Sequence, residues 1–166
     1  MVPFPPPSPT NANPNVINAS PSSVLFICNF NAVRSPMAEI LAQHFIGRRC
    51  YVKSAGIRGD DDQEVNPFCV EVLQEMGLDL SQHRPQNLDE IADSSFDLII
   101  SLTPEAQHKA VDLTRSMACD VEYWPTMDPT LVQGNREVIL TAFRETRDQL
   151  AARIKERFDV MPPPQV

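Results

Sequence analysis

No apolar run in this sequence is long enough to cross a membrane, which excludes a spanning helix. The chain has no C-x-x-C pair and no Cys/His cluster at zinc spacing, so neither a redox dithiol motif nor a structural zinc site is expected. Positive charge is scarce: 14 Lys and Arg stand against 22 Asp and Glu, a formal net charge of −8. That balance argues against nucleic acid and against an anionic membrane surface as partners. It also weakly repels a diffusing anion, so any anion site has to be built locally. No internal repeat is visible.

Charge is absent altogether from residues 1–23, MVPFPPPSPTNANPNVINASPSS. A secretory signal needs a basic start and a continuous apolar stretch, and neither is present. The Pro- and Asn-rich composition predicts a disordered tail over 1–23, with a PxxP ligand as the alternative. MPPPQV predicts a second short tail over 159–166, leaving a folded domain over 24–158. The four cysteines, Cys28, Cys50, Cys69 and Cys119, read as reduced thiols of a cytoplasmic protein. The run Asp60-Asp61-Asp62 reads as a solvated loop, since a metal site needs more ligands at defined spacing.

What is present is a strand–helix alternation. VLFIC reads as a buried strand, and Met37, Ile40, Leu41, His44 and Phe45 then fall on one helical face. YVKSAG is a second strand, followed by a helix carrying Phe68, Val72 and Met76 and stopped by Gly77. FDLIISL and CDVEYW supply two more strands, separated by a helix through Ala110 and Leu113. A long last helix holds Ile139, Phe143, Thr146, Leu150 and Ile154 in register. Ser35-Pro36, Asn66-Pro67 and Thr103-Pro104 each look like a polar cap followed by proline. The alternation predicts an α/β fold with a parallel sheet, helices on both faces, and ligand sites at the C-terminal ends of the strands.

The segment CNFNAVRS joins the first strand to a helix start. Free amides and the positive dipole end make that point an anion site. Asn29, Phe30, Asn31, Ala32 and Val33 can wrap an oxyanion, and Arg34 adds a planar two-point fork. Cys28 opens the same ring, where amides and a guanidinium favour a thiolate nucleophile. The bland alternative is a core cysteine at a strand end and a surface arginine. Asp128-Pro129 reads either as a turn or as a general acid on a neighbouring loop. Ser35 reads as a helix cap or as a hydroxyl donor to the sulfur. His83 is a solvated loop residue or a loop support, and Asn31 and Ser54 are further candidate supports. His44 and His108 read as surface or half-buried helix residues, and Trp124 as core.

ICNFNAVRSPMAE resembles the signature of the low-molecular-weight protein tyrosine phosphatases, with Cys, five residues, Arg, Ser, Pro and Ala-Glu. SAG at Ser54 to Gly56, His83 in LDLSQHRPQ, FDLII and Asp128-Pro129 follow in the family's order. The resemblance spans about Val24 to Phe158. It implies a four-stranded parallel sheet of order 2-1-3-4, with no metal and no organic cofactor. It implies hydrolysis of a phosphorylated protein or small aryl phosphate through a phosphocysteine, with inorganic phosphate as inhibitor. Cys28 would be the nucleophile, Arg34 the oxyanion clamp and Asp128 the acid. The sequence departs from the family where Phe30 replaces a common Gly, Val33 a common Cys and Thr103 an Asp. Thr130 and Leu131 replace aromatic pocket residues. Arsenate reduction on the same fold and a non-catalytic oxyanion-binding module are the alternatives. The first needs further cysteines near the loop, and SLTPEAQHKAV has none; Cys50 and Cys119 belong at the opposite end of the sheet, Cys69 lies on a helix, and the sequence places no other cysteine near the loop.

Overall fold

A computed structural model describes residues 20–59, 63–91 and 95–160. The sequence 1–19, the run Asp60-Asp61-Asp62 and the last six positions, 161–166, lie outside the described residues. Four strands, β1 (Ser23–Cys28), β2 (Tyr51–Gly56), β3 (Leu98–Ser101) and β4 (Asp120–Tyr123), alternate with helices α1 (Arg34–Ile46), α2 (Pro67–Gln74), α3 (Pro104–Leu113) and α4 (Arg136–Arg157). The sheet order is β2-β1-β3-β4, and every pairing is parallel. None of the described helices is long and apolar enough to cross a membrane.

Alternation along the central strand splits the core in two. Val24, Phe26 and Cys28 face the larger cluster, which joins the sheet to α1, α2 and α4 through Met37, Leu41, Leu73, Phe143 and Ile154. Leu25 and Ile27 face the smaller cluster, where Ala106 and Ala110 of α3 lie close on Ala55 and Ile99. Trp124 belongs to the core, its ring edge-on to Phe26 with centroids 5.9 Å apart. His44 and His108 are exposed on their helices.

The strand-to-helix turns collect at one end of the sheet, as the parallel order demands. Asn66 and Thr103 cap α2 and α3 with side-chain oxygens accepting from Phe68 N and Ala106 N, and Pro67 and Pro104 follow. Ser35 does not cap. The helix α1 starts at Arg34, Val33 occupies the N-cap without a side-chain bond, and the Ser35 hydroxyl is engaged elsewhere. Ser23 is already in β1, and the Ser22 hydroxyl donates to Asp97 at 2.6 Å. At the other end Val160 still packs on the core.

Candidate active site

The loop from Cys28 to Arg34 is held from outside by its carbonyls. Ile57 N donates to Cys28 O (3.0 Å), Arg58 N to Asn29 O (2.7 Å) and Asn66 N to Ala32 O (2.9 Å). Val33 O accepts from Met37 N at 3.2 Å and from the Cys69 thiol at 3.6 Å. In a trans peptide the C=O and the next N–H point opposite ways. The amides of Asn29, Phe30, Val33 and Arg34 are therefore turned toward the inside of the ring. Asn31 N donates directly to Cys28 Sγ at 3.3 Å.

Asn31 is the hub. It is fully buried and sits at φ 57, the left-handed region that Asn tolerates better than most residues. Its Oδ1 accepts from the backbone Gln86 N at 2.9 Å, which fixes which end of the amide is oxygen. Nδ2 then donates to Ser35 Oγ and Ser54 Oγ, both at 2.8 Å. Ser35 Oγ, which accepts from Asn31, also lies 2.8 Å from Cys28 Sγ, and its one proton is free to be donated to a thiolate there. His83 Nε2 lies 2.9 Å from Asn31 Oδ1 and must be the protonated nitrogen of that contact. Its Nδ1 lies 3.5 Å from Glu39 Oε2 of α1. The three expected supports thus meet at one residue. No left-handed backbone is needed at Phe30, which stands where the family commonly has Gly.

Gly56 explains why the second strand ends as it does. A Cβ there would lie 2.6 Å from the Phe30 carbonyl carbon and 2.9 Å from both Asn29 O and Asn31 N. The loop rests directly on that glycine. Thr103 ties down the near side: it donates from Oγ1 to Asn29 Oδ1 at 2.8 Å while accepting from Ala106 N.

Asp128 meets the ring from a separate arm. Its Oδ1 accepts from Thr130 N (2.9 Å) and Thr130 Oγ1 (2.6 Å), the turn that the Asp-Pro pair suggested. Its Oδ2 lies 3.9 Å from Arg34 Nη2, and Arg34 Nη1 donates to Thr126 O at 2.8 Å. The turn and acid readings are therefore compatible, one oxygen each. A cavity of about 390 Å3 opens between ring and arm, and it is lined by Cys28, Phe30, Arg34 and Asp128 together with Glu64, Val65, Pro67 and Thr130.

A low molecular weight phosphotyrosine protein phosphatase family model matches residues 23–159. The chain belongs to this family. Its fold and enzyme class are those of a phosphatase, as the signature implied. The arsenate reductase of Bacillus subtilis (strain 168) is 31% identical over 133 residues, spanning 80% of this chain and 92% of that protein. The solved YwlE arginine phosphatase from Geobacillus stearothermophilus matches with TM-score 0.68 at 24% identity, over 82% of this chain and 90% of that one. The tyrosine phosphatase Wzb from Escherichia coli, in complex with sulphate, matches with TM-score 0.69 at 20% identity, over 83% and 96%.

One sequence expectation about this phosphatase-family site needs changing. The sequence places no second cysteine near the loop, yet Cys69 is buried on α2 with its thiol against Val33 O. Burial, then the negative charges of Cys28 and Asp128, push its pKa far up. Cys50 and Cys119 precede β2 and β4 and so do sit at the opposite end of the sheet. Glu39, Gln86, Thr103 and Gly56 also hold the site and were not singled out for it. For Glu39 a signal existed, since it closes the Ala-Glu of the signature itself.

Proposed function

We propose that this chain hydrolyses aryl phosphates, phosphotyrosine in proteins first among them, through a phosphocysteine intermediate in the cytoplasm. The observation that supports it most is the set of groups at Cys28: the Ser35 hydroxyl and the Asn31 N–H both contact Sγ, and the sulfur shares one cavity with the Asp128 carboxylate. Donors at these positions can meet the charge that sulfur carries when it leaves the phosphocysteine. Sγ attacks phosphorus, and the ester oxygen leaves on the side opposite the sulfur. Arg34 and the inward amides hold the equatorial oxygens. Asp128 Oδ2 gives the leaving oxygen its proton and then takes one from water. Its place beside Arg34 suits that role, because the leaving oxygen of a phosphate held by that guanidinium would lie within reach of Oδ2. The four unpaired cysteines fit a reducing compartment. Inorganic phosphate would occupy the same ring and inhibit.

Arsenate reduction is the second reading, favoured by the curated relative's name and by Cys69 beside the loop. A relay needs a thiol that can reach the Cys28 adduct and then leave the site as a disulfide. Cys69 is fully buried behind Val33, and α3 carries no cysteine, so a relay to an external reductant has no second station. The deciding experiment compares wild type with Cys28→Ser on a generic aryl phosphate, with acid quench to trap phosphoprotein. The expected result is turnover and a trapped thiophosphate adduct in wild type only. Hydrolysis retained by Cys28→Ser would overturn the covalent mechanism. Arsenate-dependent oxidation of a thiol reductant without ester hydrolysis would establish the second reading.

A further inference from the structure

We infer that Phe30 is the specificity-determining wall of the cavity, the surface on which the ring of an aryl phosphate lies. This rests on the phosphatase reading and adds to it a residue and a leaving-group class.

Phe30 is 47% exposed, and of the exposed large apolar residues it is the one that lines the cavity holding Cys28. It belongs to neither core cluster, so its ring contributes nothing evident to the packing of the fold. Its backbone is fixed in place. Its carbonyl carbon lies over Gly56, and its neighbours are anchored: Asn29 by Arg58 N and Thr103 Oγ1, Asn31 by contacts at both ends of its amide. A benzyl group is thus held out in water two residues from the nucleophile, on a backbone that cannot relax to hide it. Exposed apolar surface at a binding cleft is recovered when a ligand covers it.

The opposite arm cannot do this job. Pro129 is buried, Thr130 offers a hydroxyl and methyl, and Leu131, though 77% exposed, does not line the cavity. The aromatic contact that the Asp-Pro arm lacks is supplied from inside the anion loop. With Phe30 on one side and Val65 and Pro67 also lining the cavity, the space suits a flat apolar leaving group. A guanidinium leaving group would use the carboxylate of Glu64 at the same cavity instead, and a short alkyl phosphate would reach neither.

The test is binding to a catalytically silent background, so that it does not depend on turnover. Phenyl phosphate and inorganic phosphate are titrated calorimetrically into Cys28→Ser and into Cys28→Ser with Phe30→Ala. Phenyl phosphate affinity should fall about 10-fold, as expected for a lost ring contact plus its covered area. Phosphate affinity should change by less than about 3-fold, because the amide of residue 30 remains. Phe30→Tyr should restore phenyl phosphate binding. Equal losses for both ligands, or no loss for either, would overturn the inference. Tighter binding of phosphoarginine than of phenyl phosphate, abolished by Glu64→Gln, would also overturn it. Wild type that binds phenyl phosphate but never hydrolyses it would sink the phosphatase reading alone, since the Phe30 comparison would still stand.

Discussion

The two segments that meet at the cavity are built on opposite plans. The Cys28 ring is held by hydrogen bonds on four carbonyls, tied to the chain after β2, to the start of α2 and to α1, and Asn31 links it inward to Ser35, Ser54, His83 and Gln86. The Asp128 arm is held mainly by Thr126 N to Leu102 O, by Arg34 to Thr126 O and by its own turn, with Met127 and Leu131 each 77% exposed around it. Charge that develops on equatorial oxygens must be met by fixed donors, because donors that reorganise at the moment of reaction give back what they stabilise. A proton donor faces a different demand. It has to reach leaving groups of different shape and then admit water, which a lightly held arm permits. The ring's hydrogen-bond donors should therefore matter equally to every substrate, and the acid on the arm selectively.

The largest way to break the ring is Arg34→Lys. Lysine keeps the charge but loses the planar fork and the second nitrogen that reaches Thr126 O. Turnover should fall about 10²- to 10³-fold, the cost of a lost oxyanion donor. The loss should be uniform across a leaving-group series. Near-normal turnover and phosphate inhibition in that variant would place Arg34 outside the site.

Asp128→Asn sharpens the contrast. It should cost about 10²-fold on poor leaving groups and progressively less on activated ones, since good leaving groups depart without a proton. A plot of the loss against leaving-group pKa should slope for Asp128→Asn and lie flat for Arg34→Lys. Flat lines for both would show that Asp128 is not the acid and that the arm acts only as a wall.

Asn31→Ala tests the hub. It strands the Gln86 amide and the Ser54 and Ser35 hydroxyls, and it puts alanine at a left-handed φ of 57. Stability should drop by roughly 2–3 kcal/mol. Turnover should fall on good and poor leaving groups alike, through a misplaced ring. Denaturant melts and the same leaving-group series read both effects. Stability lost without activity would mean that the ring keeps its shape without Asn31.

How much of this was legible follows from range. The strand and helix segments were readable because periodicity is local, and Asn66-Pro67 and Thr103-Pro104 cap as their sequence says. Ser35-Pro36 looks the same and is not a cap, because the sulfur of Cys28 and the amide of Asn31 compete for that hydroxyl. Cys28 and Arg34 line one cavity with Asp128, which is distant in sequence. The role of Gly56 as a seat and of Thr103 as a tie to Asn29 depends on how two separate turns approach each other. No spacing encodes that. Cys69 shows the same limit: α2 was expected, but not which of its faces lies on the loop.

Cys69 also gives the smallest and most specific test of how the ring is enclosed. Its thiol is held protonated first by burial and then by the negative charges of Cys28 and Asp128. The unfolded chain carries the same thiol at about its ordinary pKa of 8.5. Above that pH the unfolded state releases a proton that the folded state keeps, so folding stability must fall as pH rises. Below it the two states bind equally and the contribution is whole. One such thiol gives a slope of about 1.4 kcal/mol per pH unit. Cys50 and Cys119 are raised by burial as well and add to the same decline. Urea melts of wild type and Cys69→Ala between about pH 7.5 and 10 separate them. The variant should start about 1 kcal/mol less stable at neutral pH, for the lost buried thiol and its contact with Val33 O. It should then decline less steeply, so that the two curves converge at alkaline pH. Parallel curves would mean that Cys69 ionises freely in the folded state, and that the wall behind the ring is open to water.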